Sequence, residues 1–402
     1  MLVKPPDILA EKRDSDAAMV GWAHGPFGRH QNMELEHLIA SVAGAAILDA
    51  GLDSSDIDSI SLGCFGSGFQ RQEFPSSLIF QALPELRFTP ATRLENACAT
   101  GSAALYHGLD RVRAGSARYG LVIGVEKMTA VAGHQVGDLL LRAAYLAEEE
   151  KIAGGFAGIF GVICNQYFQA YGDQSDALAQ IAAKNHANGT ANHLAHLQKD
   201  FGYEFCRLES DQNPVIAGPL KRTDCAPISD GAAAAVVCSL DRARHHPKAV
   251  RFRAAVQVND FLPMSKRDII AFEGCREAWG RAHQQAGTRI SDLDCVETHD
   301  CFTIAELIQY EAMGLALPGQ GASILAEGIP MPGGALPVNP SGGLKAKGHP
   351  IGATGVSQHV LCAMQLTNEA NGFQVPDASL AGLFNMGGTA VANYVSILER
   401  VR

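Results

Sequence analysis

The chain repeats itself, and that repetition constrains its architecture more than any single motif. Ala50-Gly51 followed by Ser55-Asp56-Ile57-Asp58-Ser59-Ile60 has a counterpart in Ala286-Gly287 followed by Ser291-Asp292-Leu293-Asp294-Cys295-Val296. Each reads as a helix ending at glycine, a short polar loop and then a buried strand. A second echo links Gly231-Ala232-Ala233-Ala234-Ala235-Val236-Val237-Cys238-Ser239-Leu240 with Gly388-Thr389-Ala390-Val391-Ala392-Asn393-Tyr394-Val395-Ser396-Ile397, two apolar strands that would each close a half. Because the echoes keep one order, the economical reading is two similar α/β units.

Between the paired echoes, each half carries one helix start rich in small residues. The first is Asn96-Ala97-Cys98-Ala99-Thr100-Gly101-Ser102-Ala103-Ala104, and the second is Gly348-His349-Pro350-Ile351-Gly352-Ala353-Thr354-Gly355. Apolar runs at Tyr119–Val125, Phe252–Val258, Asp294–Thr298 and Leu380–Phe384 predict core strands, and Leu38–Leu48 and Ala103–Val112 predict helices. The mixture indicates layered α/β structure. Residues 127–220 interrupt the first half, with helical patterns at Phe160–Tyr171 and Ala177–His186, and are too long for a loop. The expected organisation is a first half at 1–126, an inserted loop subdomain at 127–220 beside the substrate pocket, a return at 221–248 and a second half at 249–402.

A thiol and an imidazole, each at a helix N-terminus, are what covalent acyl transfer requires. Free N–H groups and the helix dipole are expected to lower the pKa of Cys98 and favour its thiolate. Taken alone, Cys98 would be a buried small side chain more often than a nucleophile. His349 sits among glycines at 342, 343, 348, 352 and 355, which permit tight backbone turns, but the segment lacks the Gly-Lys-Ser/Thr ending of a phosphate loop. It could polarise the thiol and donate to a thioester oxygen, or be a structural histidine in a rigid turn. A third constellation, His299-Asp300-Cys301-Phe302, directly follows a strand, where α/β folds often place catalytic groups. Cys301 there could move a proton; neighbouring residues alternate in direction, so a shared metal is not expected. Asn385-Met386-Gly387-Gly388 ends the last core strand but is weak as a lone feature.

Composition limits the alternatives. The 402 residues carry a net charge of −10, which argues against nucleic acid as a partner. The one basic run, Arg242–Arg253, has little aromatic interleaving and reads as a solvated surface. Ten cysteines without a Cys-x-x-Cys pair support neither a zinc site nor a disulfide framework. No run approaches the roughly 18 apolar residues of a membrane span. Met1–Asp7 lacks a signal-peptide core and Glu399–Arg402 is not a Ser-Lys-Leu address, so a cytoplasmic protein is expected.

Cys98 with its helix, the His299–Phe302 tetrapeptide and Gly348-His349-Pro350, in this order, resemble the thiolase superfamily over essentially the whole chain. Asp224–Gly231 and Lys184-Asn185-His186 resemble segments of its sterol carrier protein X-type branch and bacterial relatives. The resemblance implies a duplicated thiolase fold with a five-layer αβαβα core. It also implies ping-pong chemistry on 3-oxoacyl-CoA, or the reverse condensation, through an acylated Cys98 activated by His349, with a link to lipid metabolism. Coenzyme A would be a cosubstrate, with no tightly bound cofactor and no metal, and the protein would be a homodimer or dimer of dimers. Many thiolases place an acid/base cysteine in the C-terminal loop as Cys-x-Gly; here that position is Asn385, and the branch supplies its second cysteine as Cys301 instead. By the same resemblance His299 would hold a water or thioester oxygen, and the N–H groups of Cys98 and Gly387 would form an oxyanion hole. Lys221, Arg222 and Ala226 are the residues expected to meet coenzyme A, although a solvated Lys-Arg pair is an equal reading. A retro-aldolase on acyl-CoA side chains, or a non-catalytic acyl-CoA-binding partner, would fit the same fold, but intact Cys98, Cys301 and His349 weigh against both.

Overall fold

The structure is a computed structural model that describes residues 17–66 and 68–401, so the Met1–Asp7 stretch and the terminal Arg402 lie outside the described residues. Among the described residues eleven strands occur: β1 Ala17–His24, β2 Ser59–Gly63, β3 Ala91–Leu94, β4 Tyr119–Lys127, β5 Val215–Ala217, β6 Leu220–Lys221, β7 Asp230–Ser239, β8 Val250–Asn259, β9 Cys295–Glu297, β10 Leu380–Gly387 and β11 Ala392–Arg400. Nine form one continuous sheet in the order β3-β2-β4-β7-β1-β8-β11-β10-β9, and β5 and β6 form a small ribbon.

The sheet displays the duplication. In the first half β1 pairs antiparallel with β7, β7 antiparallel with β4, and β4 parallel with β2. In the second, β8 pairs antiparallel with β11, β11 antiparallel with β10, and β10 parallel with β9. Even β3, which lies parallel to β2, has a remnant equivalent in the isolated parallel bridge between Val296 and Val338. The halves join where β1 meets β8, at Ala18–Arg251 and Met19–Val250.

Local chemistry repeats as well. Helix Leu35–Asp49 is followed by Gly51 at φ +69°, and helix Glu273–Ala286 by Gly287 at φ +65°, a left-handed position suited to a residue without Cβ. The Asp58 carboxylate then accepts the N–H groups of Arg118 and Tyr119 at 2.8 and 3.1 Å, where β4 begins. Asp294 does the same for Ser379 and Leu380 at 2.7 and 2.9 Å, where β10 begins. Each carboxylate thus fixes the register of two parallel strands, β2 with β4 and β9 with β10.

Helix Leu35–Asp49 covers one face of the first-half strands and helix Glu273–Ala286 covers β8 and β11. Helix Thr100–Arg113 packs on β2 and β4, helix Ile351–Leu366 packs on β10, and these two helices cross each other. Their crossing is built from glycine. A Cβ on Gly101 would lie 2.8 Å from the Gly355 nitrogen, and one on Gly355 would lie 2.2 Å from the Ser102 nitrogen. Only bare backbone allows this approach. Helix Ile351–Leu366 is buried on nearly every side, as expected of an element inside the molecule.

The segment between β4 and β5 folds into helices that dock on the second half. Phe160 of helix Gly155–Tyr171 stacks on Phe302 with ring centroids 4.4 Å apart. In helix Ser175–Thr190, buried Lys184 pairs with Glu306 at 2.7 Å. The basic run is not a free cationic face: Lys248 pairs with Asp49 and Glu369, while Arg251 and Arg253 pair with Glu399. Among the described residues no helix is long and apolar enough to cross a membrane.

The glycine crossing yields a prediction. Gly355→Ala inserts a methyl against Ser102 and Asn385, and should destabilise the fold by about 1–3 kcal/mol, the usual cost of overpacking. Denaturant unfolding measures this; an unchanged midpoint would mean that the helices separate freely.

Candidate active site

Cys98 occupies a tight turn before helix Thr100–Arg113, two residues ahead of its first helical residue. The turn is held by the Ala99 N–H on the Asn96 carbonyl, by the Asn96 N–H on Thr100 Oγ1 at 2.8 Å, and by Asn96 Nδ2 on the Tyr394 hydroxyl at 2.8 Å. Ala97 carries a φ of +50°, which a side chain rarely adopts, so backbone strain accompanies the presentation of the thiol. Tyr394 belongs to the opposite half.

His349 lies between Gly348 at φ +110° and Pro350, which begins helix Ile351–Leu366. Its Nδ1 is 2.7 Å from Thr354 Oγ1, and that hydroxyl donates to the Pro350 carbonyl at 3.0 Å. With its one proton committed, Thr354 must accept from His349, so Nδ1 carries the hydrogen and Nε2 keeps a lone pair. His299 has the opposite arrangement. Asn385 accepts the Ser102 hydroxyl on Oδ1 at 2.7 Å, so its Nδ2 donates, to the Cys98 carbonyl at 3.2 Å and to His299 Nδ1 at 2.9 Å. A neutral His299 therefore carries its hydrogen on Nε2, a buried atom with no partner among the described residues.

These groups converge. Ligating atoms of Cys98, His299 and His349 all lie within 4.8 Å of one another, and the two imidazoles meet edge to face with centroids 5.0 Å apart. Cys301, 5% exposed, is close enough that Cys98 adds to its cost of ionisation, behind the larger effect of burial. The same three groups are of metal-ligating type, but their ring nitrogens are already divided between one acceptor and one donor, as proton-transfer chemistry needs.

Electrostatics correct one expectation. Cys98 was expected to be a stabilised thiolate; instead burial pushes its pKa up to about 12, although the N–H groups of Gly388 and of Cys98 itself face the sulfur. At 4% exposure the loss of water outweighs two amide dipoles. Burial, with the nearby Lys347 ammonium, also brings His349 down to about 3. The resting pair is thus a neutral thiol and a neutral imidazole. Beside the sulfur the amide of Gly388, at φ +63°, joins that of Cys98, next in the chain to Gly387, the expected oxyanion donor. Gly387 also serves close approach, since a Cβ there would fall 2.5 Å from the Asn96 carbonyl oxygen.

Cys301 is held by a scaffold that the sequence did not disclose. Its carbonyl accepts the Ala226 N–H at 2.9 Å. The adjoining Asp300 accepts the Leu344 and Lys345 N–H groups and Asn185 Nδ2, and Asn185 also reaches Glu306, the partner of Lys184. Lys184 and Asn185 are therefore structural supports beneath the site. The residues expected at coenzyme A divide similarly. Lys221 is buried with its ammonium 3.4 Å from Asp224, Ala226 is engaged with the Cys301 loop, and Arg222 alone of the three is exposed. Ser102, Thr354 and Gly388 were missed as site residues, because a hydroxyl or an amide declares a role only once its partner is known.

Comparison with known proteins agrees with this geometry. Residues 17–204 match the thiolase N-terminal domain, and residues 257–400 match the family described as thiolase C-terminal domain-like. The acetyl-CoA acetyltransferase of Methanothermobacter thermautotrophicus is 33% identical over 388 residues, covering 96% of this chain and all of that protein. Sterol carrier protein 2 of Bos taurus is 32% identical over 373 residues, 89% of this chain and 67% of that protein. Among solved structures, the Ltp2-ChsH2(DUF35) aldolase superimposes with a TM-score of 0.82 at 21% identity, covering 97% of this chain and 99% of that one, a likeness of fold. The duplicated halves, both family matches and the full-length relatives place this chain in the thiolase superfamily, as an acyltransferase-type enzyme.

Proposed function

We propose that the protein transfers acyl groups between coenzyme A and carbon through an acylated Cys98, cleaving 3-oxoacyl-CoA or running the reverse condensation. The observation that carries this reading is the convergence of the Cys98 sulfur with two imidazoles of opposite tautomer. As the thiol attacks the ketone carbon, its proton passes to His349 Nε2. The oxyanion that forms is met by the N–H groups of Cys98 and Gly388. The bond between the α- and β-carbons then breaks, and the electron pair becomes an acetyl-CoA enolate whose oxygen accepts the His299 Nε2–H. Cys301 delivers a proton to the enolate carbon. The thiol of an incoming coenzyme A, deprotonated in turn, displaces the acyl group from Cys98.

Helices on both outer faces, with the Cys98 and His349 helices between the sheet halves, support a five-layer αβαβα core. In this reading the 127–220 segment walls the substrate pocket, since Met128, Val136, Phe65, Phe69 and Ile351 cluster around Cys98. Coenzyme A is the cosubstrate in this scheme, and the exposure of Arg222 supports it as the cation that meets a phosphate.

The experiment is to incubate the protein with acetyl-CoA and locate the acyl group by mass spectrometry. Cys98→Ala should abolish labelling, whereas Cys301→Ala should keep it and lose carbon–carbon bond cleavage. Full thiolysis by Cys301→Ala would remove the proton shuttle from this scheme. His299→Ala takes away one donor to the enolate and should lower kcat by about 10²–10³, the usual worth of an oxyanion contact, without a matching loss of thermal stability.

The pH dependence has a definite sign. His349 is lowered, so it stays unprotonated and able to act as base as pH falls through the ordinary histidine range near 6.5. The acid limb of kcat/KM should therefore be absent around pH 6.5; a limb there that disappears in His349→Asn would show that the imidazole is hydrated, contrary to its burial.

A further inference from the structure

Glu126 is a fully buried carboxylate at the end of β4 to which the scheme above assigns no task. It accepts the Phe65 N–H at 2.8 Å and the Gly66 N–H at 3.1 Å, from the loop that follows β2. Its Oε2 also accepts the Gly352 N–H at 3.0 Å, and the Cys64 thiol reaches Oε1 at 3.5 Å. No cation pairs with it among the described residues; four donors satisfy it.

The Gly352 contact crosses between the halves. Gly352 is the second residue of the helix that follows His349, and its N–H is one of those a helix leaves unbonded at its start. Pro350 occupies the capping position and has no side-chain acceptor, so this helix cannot cap itself. Glu126 supplies the missing acceptor from the other half of the chain; burial pushes its carboxyl up from the ordinary value, and the donors from Gly66, Phe65, Cys64 and Gly352 pull it back toward the carboxylate that the helix dipole favours. The approach requires Gly352 to be bare: a Cβ there would lie 2.3 Å from the Val125 carbonyl and 2.9 Å from Glu126 Oε2. On its other side the carboxylate fixes Phe65, whose ring belongs to the apolar cluster around Cys98.

We propose that Glu126 is a positioning residue for acyl transfer, a cap supplied in trans that sets the His349 helix against the Phe65 wall of the Cys98 pocket. The proposal rests on the acyl-cysteine reading and deepens it. Glu126 acts through His349 and Phe65, and by its charge on Cys98. Besides Glu126, the ionisable groups that bear on the Cys98 thiol are Glu95, Cys301, His299 and His349.

The test compares wild type with Glu126→Gln and Glu126→Asp in three measurements: the single-turnover rate of Cys98 acylation by acetyl-CoA, the KM for that thioester, and the pH midpoint of Cys98 alkylation by iodoacetamide. Glu126→Gln should slow acylation at least tenfold with KM changed less than twofold, and should move the alkylation midpoint to lower pH because a neighbouring negative charge is gone. Glu126→Asp keeps the charge but falls one methylene short, so it should slow acylation while leaving the midpoint near that of wild type. If either folded variant acylates at the wild-type rate, or if both lose only thermal stability, Glu126 is structural and the proposal fails. Should Glu126→Gln not fold, Glu126→Asp alone decides by its acylation rate. Wild-type protein that never acylates would overturn the acyl-cysteine reading instead, and the alkylation midpoints would still report on Glu126.

Discussion

The close crossing of helices Thr100–Arg113 and Ile351–Leu366 is the constraint on which the site depends. Each helix brings one reactive group, and neither half contains both. Glycine at 101, 352 and 355 lets the two backbones meet without intervening side chains. The hydroxyl of Ser102 then reaches Asn385, and Asn385 reaches both the Cys98 carbonyl and His299. One steric condition thereby propagates through three hydrogen bonds to the tautomer of an imidazole. Volume added at the crossing acts on stability and on chemistry together, because the same atoms serve both.

Burial governs the electrostatics. A helix N-terminus ordinarily favours a thiolate, yet here desolvation wins and the thiol remains protonated. The neighbouring imidazole is held neutral by the same dryness. The Cys98 and His349 side chains thus rest as a neutral couple, an oriented donor and an oriented acceptor. In the proposed scheme, charge develops only when a carbonyl arrives between the amides of Cys98 and Gly388, where fixed dipoles in a dry site are most effective. The acidic and amide network beneath, from Lys184 through Glu306 and Asn185 to Asp300, keeps the Cys301 loop in place, and the Asp300 carboxyl adds to the cost of ionising Cys301.

Much of this was legible in the residues. The Ala-Gly…Asp-Ile-Asp and Ala-Gly…Asp-Leu-Asp echoes disclosed the duplication, because a left-handed glycine and a strand-fixing aspartate are local requirements that sequence must satisfy locally. Cys98 and His349 stood out because reactive side chains amid small residues are unusual. The rest depends on distance across the fold. Nothing near Thr354 in the chain shows that it fixes the His349 tautomer, nor does any spacing reveal that Glu126 meets Gly352. Lys221 beside Arg222 reads as a cationic pair open to a phosphate or to solvent, and only the fold turns Lys221 inward to Asp224. The pKa of Cys98 was misjudged for the same reason: the local dipole is written in the sequence, whereas the depth of burial is a property of the assembled molecule.

The protonated state of Cys98 bears on survival as well as on turnover. Peroxide and other oxidants react with thiolates far faster than with thiols, and progress toward sulfinic acid cannot ordinarily be reversed. If Cys98 is the nucleophile proposed above, its being kept as a thiol within a dry pocket shields it during the long intervals between substrates. Such an enzyme can hold a sulfur nucleophile ready without a disulfide to guard it, becoming vulnerable only while turnover is under way.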